Sequence, residues 1–230
     1  MRIAFVFFIF SITFACGQSK KEISIKFQPK DSMVYSYDMI TEELTISGVF
    51  NTQFSIKNDS VIVDVEVANL SGKSKAIADL GYETIIGETY TRYYDIYGKA
   101  IDLKNLSKQA LNTDMLIVEF PKTPIKVGTK WDSKKTAKPE IFFDEINVKY
   151  TCSSIDDYFI AIEAEMNYIT KDDYFANTIK ISRTLIGKYI VDRKDGSVVS
   201  ANLDMDLFTG FSRFKGTVDI KKLQNKKEAQ

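Results

Sequence analysis

The chain has 230 residues, with 31 lysines and arginines matched by 31 aspartates and glutamates, no histidine and two cysteines. A balanced charge leaves no electrostatic footprint for nucleic acid, which is not expected as a partner. The absence of histidine excludes histidine-based triads, His-ligated metals and the usual general base near neutral pH.

The first element is an address. Met1-Arg2 is followed by an apolar run, Ile3 to Ala15, interrupted only by Ser11 and Thr13. A positive charge, a short apolar stretch and a small residue at its end are the parts of a secretory signal, read here over residues 1–15. The run is too short to cross a bilayer, which takes roughly 20 apolar residues. Gly17-Gln18-Ser19-Lys20-Lys21-Glu22 follows. This polar stretch predicts a solvated tether over residues 16–24.

Thr13-Phe14-Ala15-Cys16 resembles the lipobox of bacterial lipoproteins, in which a small residue precedes a cysteine that is acylated and becomes the mature N-terminus. The resemblance implies cleavage between Ala15 and Cys16 and a lipid anchor on Cys16. Thr13 and Phe14 depart from the pattern, which has Leu and then a small residue. Each buried CH₂ of an acyl chain contributes about 0.8 kcal/mol, so a multiply acylated cysteine holds a protein firmly on a membrane. Gly17 after the cysteine, where the enteric rule for retention has Asp, implies the outer membrane. Lys20-Lys21, unlike acidic surface-export signals, favours the periplasmic side. The other reading is ordinary small-x-small cleavage after Ala15, which frees Cys16 to pair with Cys152 in an oxidising envelope. Lipidation is preferred because a cysteine placed directly after an apolar run is uncommon by chance.

From Met33 onward, period-two alternation dominates. Val61, Val63, Val65 and Val67 share a face opposite Asp64 and Glu66. Leu44, Ile46, Phe50, Phe54 and Ile56 share another, as do Ile160, Ile162, Ala164 and Met166, then Val199, Ala201, Leu203, Met205 and Leu207, then Phe214, Val218 and Ile220. One apolar and one polar face is the mark of an antiparallel strand wetted on one side. Turn signals separate the runs at Lys57-Asn58-Asp59, Lys171-Asp172-Asp173, Lys194-Asp195-Gly196 and Thr209-Gly210.

A faint repeat runs through the pattern. Val63, Val65 and Glu66 align with Ile160, Ile162 and Glu163; Asp95 aligns with Asp192 at the same shift, and Gly98 with Gly196 one residue further on. Gly128 to Trp131 falls where Asp31 to Tyr35 would fall, within a residue or two. The predicted organisation is a first β unit over 25–102, a connecting helix over 103–118, a second β unit over 119–222 and a basic tail over 223–230. The helix rests on the spacing of Leu103, Leu106, Ala110, Leu111 and Met115. The expected fold is therefore all-β and mainly antiparallel with one short helix, its two related units forming a curved sheet, half-barrel or sandwich.

Phe120-Pro121 and Pro124-Ile125-Lys126-Val127-Gly128-Thr129-Lys130-Trp131, with the anchor before them and the Asp192 to Gly196 hairpin after, look like a family of Bacteroidetes lipoproteins of unknown function. That family carries no catalytic residues across. Its shape is similar to the half-barrels of lipoprotein carriers, in which a curved antiparallel sheet holds acyl chains under a helical lid.

No chemistry is concentrated in the side chains. The acid pairs Glu42-Glu43, Asp156-Asp157 and Asp172-Asp173 lack the multi-ligand loop that calcium wants. Glu163 with Glu165, and Asp204 with Asp206, point the same way from one strand, whereas glycoside hydrolysis needs carboxylates facing across a cleft. No enzyme activity, cofactor or metal is expected. The aromatics are the better candidates: Tyr90, Tyr94, Phe142, Tyr150 and Tyr168 are expected to face a ligand if they line a concave sheet, since such pockets are largely apolar. The alternative places them in the core or in cross-strand stacks. Two functions follow. In one, an envelope protein, lipid-anchored at the outer membrane, binds an apolar ligand or lipid in its curved sheet. In the other, a structural or interaction module meets an envelope protein partner and holds no small molecule.

Overall fold

A computed structural model of the chain describes residues 22–43, 45–72, 86–101, 113–136, 143–170, 181–208 and 210–223. The alternating segments form ten strands: β1 (Met33–Thr41), β2 (Thr45–Lys57), β3 (Ser60–Gly72), β4 (Thr89–Asp95), β5 (Lys130–Thr136), β6 (Phe143–Ile155), β7 (Phe159–Thr170), β8 (Ser182–Asp192), β9 (Val198–Phe208) and β10 (Arg213–Leu223). They make one antiparallel sheet in the order β4-β3-β2-β1-β10-β9-β8-β7-β6-β5. The fold is all-β, and the sheet does not close into a barrel.

The sheet is nonetheless strongly curled. Five strand spacings of about 4.8 Å would set β4 some ~24 Å from β9 if the sheet were flat. Yet the Phe27 N–H donates to the Ile96 carbonyl after β4 (2.7 Å), and the next amide, that of Gln28, donates to the Asp195 carbonyl before β9 (2.8 Å). Adjacent residues of one segment touch both turns, so the inward face wraps around a single core. That core is contiguous from Val61, Val63 and Val65 on β3 through Leu203 on β9 to Ile162 on β7 and Val148 on β6. The two units share it.

β1 to β4 and β5 to β8 follow one another in the same order, and β9 and β10 join the two sets. The turns after β4 and β8 are built alike. The Asp95 carboxylate accepts from the N–H groups of Tyr97 (2.8 Å) and Lys99 (3.0 Å), and that of Asp192 accepts from Lys194 N–H (2.8 Å). Gly98 and Gly196 take left-handed φ values of 83° and 74°. A Cβ on Gly98 would stand 2.5 Å from the Val118 carbonyl oxygen, and one on Gly196 2.6 Å from that of Lys26. In each case glycine lets an extended segment cross the turn.

Those two segments stopper one end of the curled sheet. Ile23, Ile25 and Phe27 are buried, and Phe27 packs edge-on against Phe54 and Tyr94 with ring centroids 6.0 Å away in both cases. Ile117, Val118 and Phe120 are buried likewise, and the Phe120 N–H donates to the Tyr97 carbonyl (2.8 Å). Ile23 and Ile125 tie the segments together through a reciprocal pair of backbone bonds of 2.9 and 2.8 Å. The segment over 117–120 also fills the seam between the edge strands. The Trp131 indole N–H donates to the Glu119 carbonyl (2.7 Å), the Ser133 hydroxyl to the Glu119 carboxylate (2.6 Å), and the Lys135 ammonium to the Ile117 carbonyl.

Several expectations change in detail. Ile23, within the stretch read as tether, already belongs to the core. Of the span expected as a helix over 103–118, residues 103–112 lie outside the described residues. Thr113–Leu116 makes one 3-10 turn and Ile117 and Val118 are extended, because Val118 must lie flat across Gly98. Val198, not Val199, enters the core: Val199 is the extra residue where the β8–β9 register shifts at Ile190/Val191. Ile56 keeps its face but sits near the β2–β3 turn, beyond the core, and is exposed. Leu44, Lys171 to Asp173 and Thr209 lie outside the described residues.

Candidate functional site

The inward face is the place to look for a ligand, and the strand registers show what it carries. Tyr90, Arg92 and Tyr94 project inward from β4 opposite Val65, Val63 and Val61. Tyr150 lies opposite Trp131 on one side and Ala164 on the other, and Tyr168 opposite Ile146 and Arg183. Of the aromatics expected there, Tyr94, Tyr150 and Tyr168 are buried and Tyr90 is half-buried. All four are on the inward face, but Tyr90 and Tyr94 stand on an edge strand while Tyr150 and Tyr168 stand on β6 and β7. Phe142, Ala15 and Cys16 lie outside the described residues.

The residue that links this face into a site is Tyr189, which sequence reasoning missed. It projects inward from β8 between Ala201 and Ile162. The next inward position on its strand is Gly187, opposite Ala164 and Leu203. A Cβ on Gly187 would meet the Asn202 carbonyl oxygen at 2.0 Å, so the sheet bends too tightly there for a side chain. Tyr189 thus has three small residues about it, Gly187 and Ala164 on the next inward row and Ala201 opposite. Its hydroxyl is fully buried and has no hydrogen-bond partner among the described residues. Burial holds its pKa well above the ordinary phenol value, and the phenols of Tyr150, Tyr168 and Tyr37 add to the effect. The Tyr150 phenol is raised by burial too, with the Lys135 ammonium pulling the other way. An unsatisfied buried hydroxyl costs about 1–3 kcal/mol. The signal for it was present in the parity of Tyr189 and Val191, one strand residue apart.

Two arginines share this interior. Arg92 is only 1% exposed. Arg183 lies over the Tyr168 ring at 3.7 Å from its centroid and over Phe143 at 4.9 Å, and those two rings meet edge-on at 5.2 Å. Such a cation–π stack contributes ~0.5–2 kcal/mol and fixes the guanidinium plane. The Tyr168 hydroxyl in turn reaches the Met115 sulfur (3.6 Å). Away from the stoppers the inward face becomes half-exposed, at Tyr37, Met39, Ile46 and Leu207.

An open cleft of about 210 Å³ lies elsewhere, over the seam, lined by Asp95, Tyr97, Lys99, Glu119, Trp131 and Asp132 among others. Asp95 and Glu119 are spent on the hydrogen bonds already described, so the cleft offers no pair of acids free to act together. Among the described residues no three Cys, Asp or Glu side chains gather as a metal site, and no helix is long and apolar enough to cross a membrane. No protein-family model matches the chain, and no curated protein shows significant similarity to it.

Proposed function

We propose that this chain is an envelope lipoprotein, anchored through Cys16, whose curled sheet binds an apolar ligand bearing one polar group. Tyr189 carries the reading: its buried hydroxyl lacks a protein partner among the described residues, near the small Gly187, Ala164 and Ala201, so a ligand's polar group would satisfy it. The half-exposed set Tyr37, Met39, Ile46 and Leu207 marks the end through which an acyl chain would pass. The stoppered end is closed to it. The lipobox-like Thr13 to Cys16 supports the anchor and a place at the outer membrane facing the periplasm, and the likeness to carrier half-barrels supports the ligand class. The role is binding, not catalysis.

The test is native mass spectrometry with organic extraction on the processed chain from a bacterial envelope. An apolar ligand at defined stoichiometry, retained less by Tyr189→Phe, is the expected result. A protein that is empty and takes up no added fatty acid overturns the reading. That outcome would favour the interaction module, for which one observation already speaks: the stoppered half is filled by large side chains, among them Phe27, Tyr35, Phe54 and Tyr94.

A further inference from the structure

We infer that the stoppered end of the sheet rests on an anionic bilayer surface, with Tyr158 as its interfacial contact and the half-exposed mouth turned away from the membrane. This rests on the Cys16 anchor proposed above. Only five residues lie between Cys16 and Glu22, and an extended chain spans at most ~3.5 Å per residue, roughly 20 Å over the six steps. Glu22 is fixed at the stoppered end, where its carboxylate meets the Lys126 ammonium at 3.2 Å and the next residue pairs with Ile125. The described chain also finishes there, since Leu223 lies opposite Val34 at the start of β1. Lys226 and Lys227 follow in the sequence.

At this end Tyr158 forms the tip of the β6–β7 hairpin and is 75% exposed. It is held from both sides. The Asp156 carboxylate accepts from the N–H groups of Tyr158 (2.8 Å) and Phe159 (2.6 Å). The Tyr158 carbonyl accepts from the Arg193 N–H (2.8 Å), and the Arg193 guanidinium donates to the Asp156 carbonyl (3.0 Å). A large, exposed aromatic whose backbone is held in place and whose ring, among the described residues, touches only the neighbouring Phe159 ring (6.4 Å between centroids) suits the headgroup region, where an amphipathic ring is at home. The neighbouring charges agree. Lys26, Lys30, Lys57, Lys122 and Lys194 stand exposed at this end, outnumbering the exposed Asp31, Asp59 and Asp157, while Asp95, Asp156, Asp192 and Asp195 turn their carboxylates onto backbone N–H groups of their own turns. Exposed lysines near acidic lipid headgroups are attracted within a Debye length. The anchor supplies the affinity; a tethered contact needs only to choose an orientation. A ligand would then leave toward soluble partners and not directly into the anchoring bilayer.

The test uses the full acylated chain in vesicles containing phosphatidylglycerol and a fraction of nitroxide lipid labelled near the headgroup. Tyr158→Trp is compared with Phe211→Trp, at a residue 82% exposed in the β9–β10 turn of the opposite end, each read above the Trp131 background. Severalfold stronger quenching at 158 than at 211 is the expected result, diminished when phosphatidylcholine replaces phosphatidylglycerol. Equal or reversed quenching in an acylated chain overturns the orientation and leaves the anchor standing. An N-terminal peptide whose mass shows no acyl group overturns both.

Discussion

The buried Tyr189 hydroxyl has no hydrogen-bond partner among the described residues, and removing it should therefore help the ligand-free protein. Tyr189→Phe is expected to raise stability by about 1–2 kcal/mol in urea unfolding; a loss of stability would mean that the hydroxyl has a partner after all. Cys152, on the inward face of β6, has its thiol pushed up to about 11 by burial and is fully shielded. The thiolate is the reactive form. A maleimide should leave the native protein unlabelled at neutral pH and modify Cys152 promptly once the chain is unfolded. Prompt labelling of the native state would refute the burial. At this scale the sequence was only partly legible. The valines of β3 declared their face by alternation alone. Arg92 and Arg183 did not, because a charged residue inside an apolar row reads as a break in the pattern until its strand partners are known.

Strands were the legible elements, since one apolar and one polar face leaves a period-two trace that needs no tertiary knowledge. The stoppers were not, although Ile23, Ile25 and Phe27 alternate in the same way. Three apolar residues are too few to outweigh the polar run before them, and their burial depends on turns contributed by β4 and β8. Register shifts also escaped: Ala68 is the extra residue between Val67 and Asn69 where β3 pairs with β2, and nothing in the local sequence marks it. The repeated aspartate and glycine were read correctly as a turn, but their second duty, making room for a crossing segment, is visible only in the fold. That duty has a measurable consequence. Gly196→Ala combines a left-handed backbone with a Cβ pressed against the Lys26 carbonyl oxygen. Gly128→Ala has the same backbone strain, φ 88°, in open space. Gly128→Ala should cost ~1 kcal/mol and Gly196→Ala at least ~2 kcal/mol more, measured by chemical unfolding. Equal costs would show that the stopper segment is not pinned at that turn.

Across the whole molecule, β1 to β4 and β5 to β8 are joined into one sheet through β9 and β10. β1 pairs with β10 along eight residue positions from Val34 to Thr41, and the core runs without interruption beneath that junction. A single calorimetric transition is expected, with calorimetric and van't Hoff enthalpies equal. Two separable transitions would mean that the units are independent despite the shared sheet. The β1–β10 pairing bears finally on how the protein is made. The first strand of the chain finds one of its two neighbours only when the last strand arrives. During synthesis, the β1 to β4 set must wait with an open hydrogen-bonding edge until β10 has emerged. Long-range closure of this kind slows folding, and an unpaired edge invites pairing with other chains. The protein should thus depend on chaperone escort more heavily than its modest size suggests, with β10 as the strand whose arrival ends that dependence.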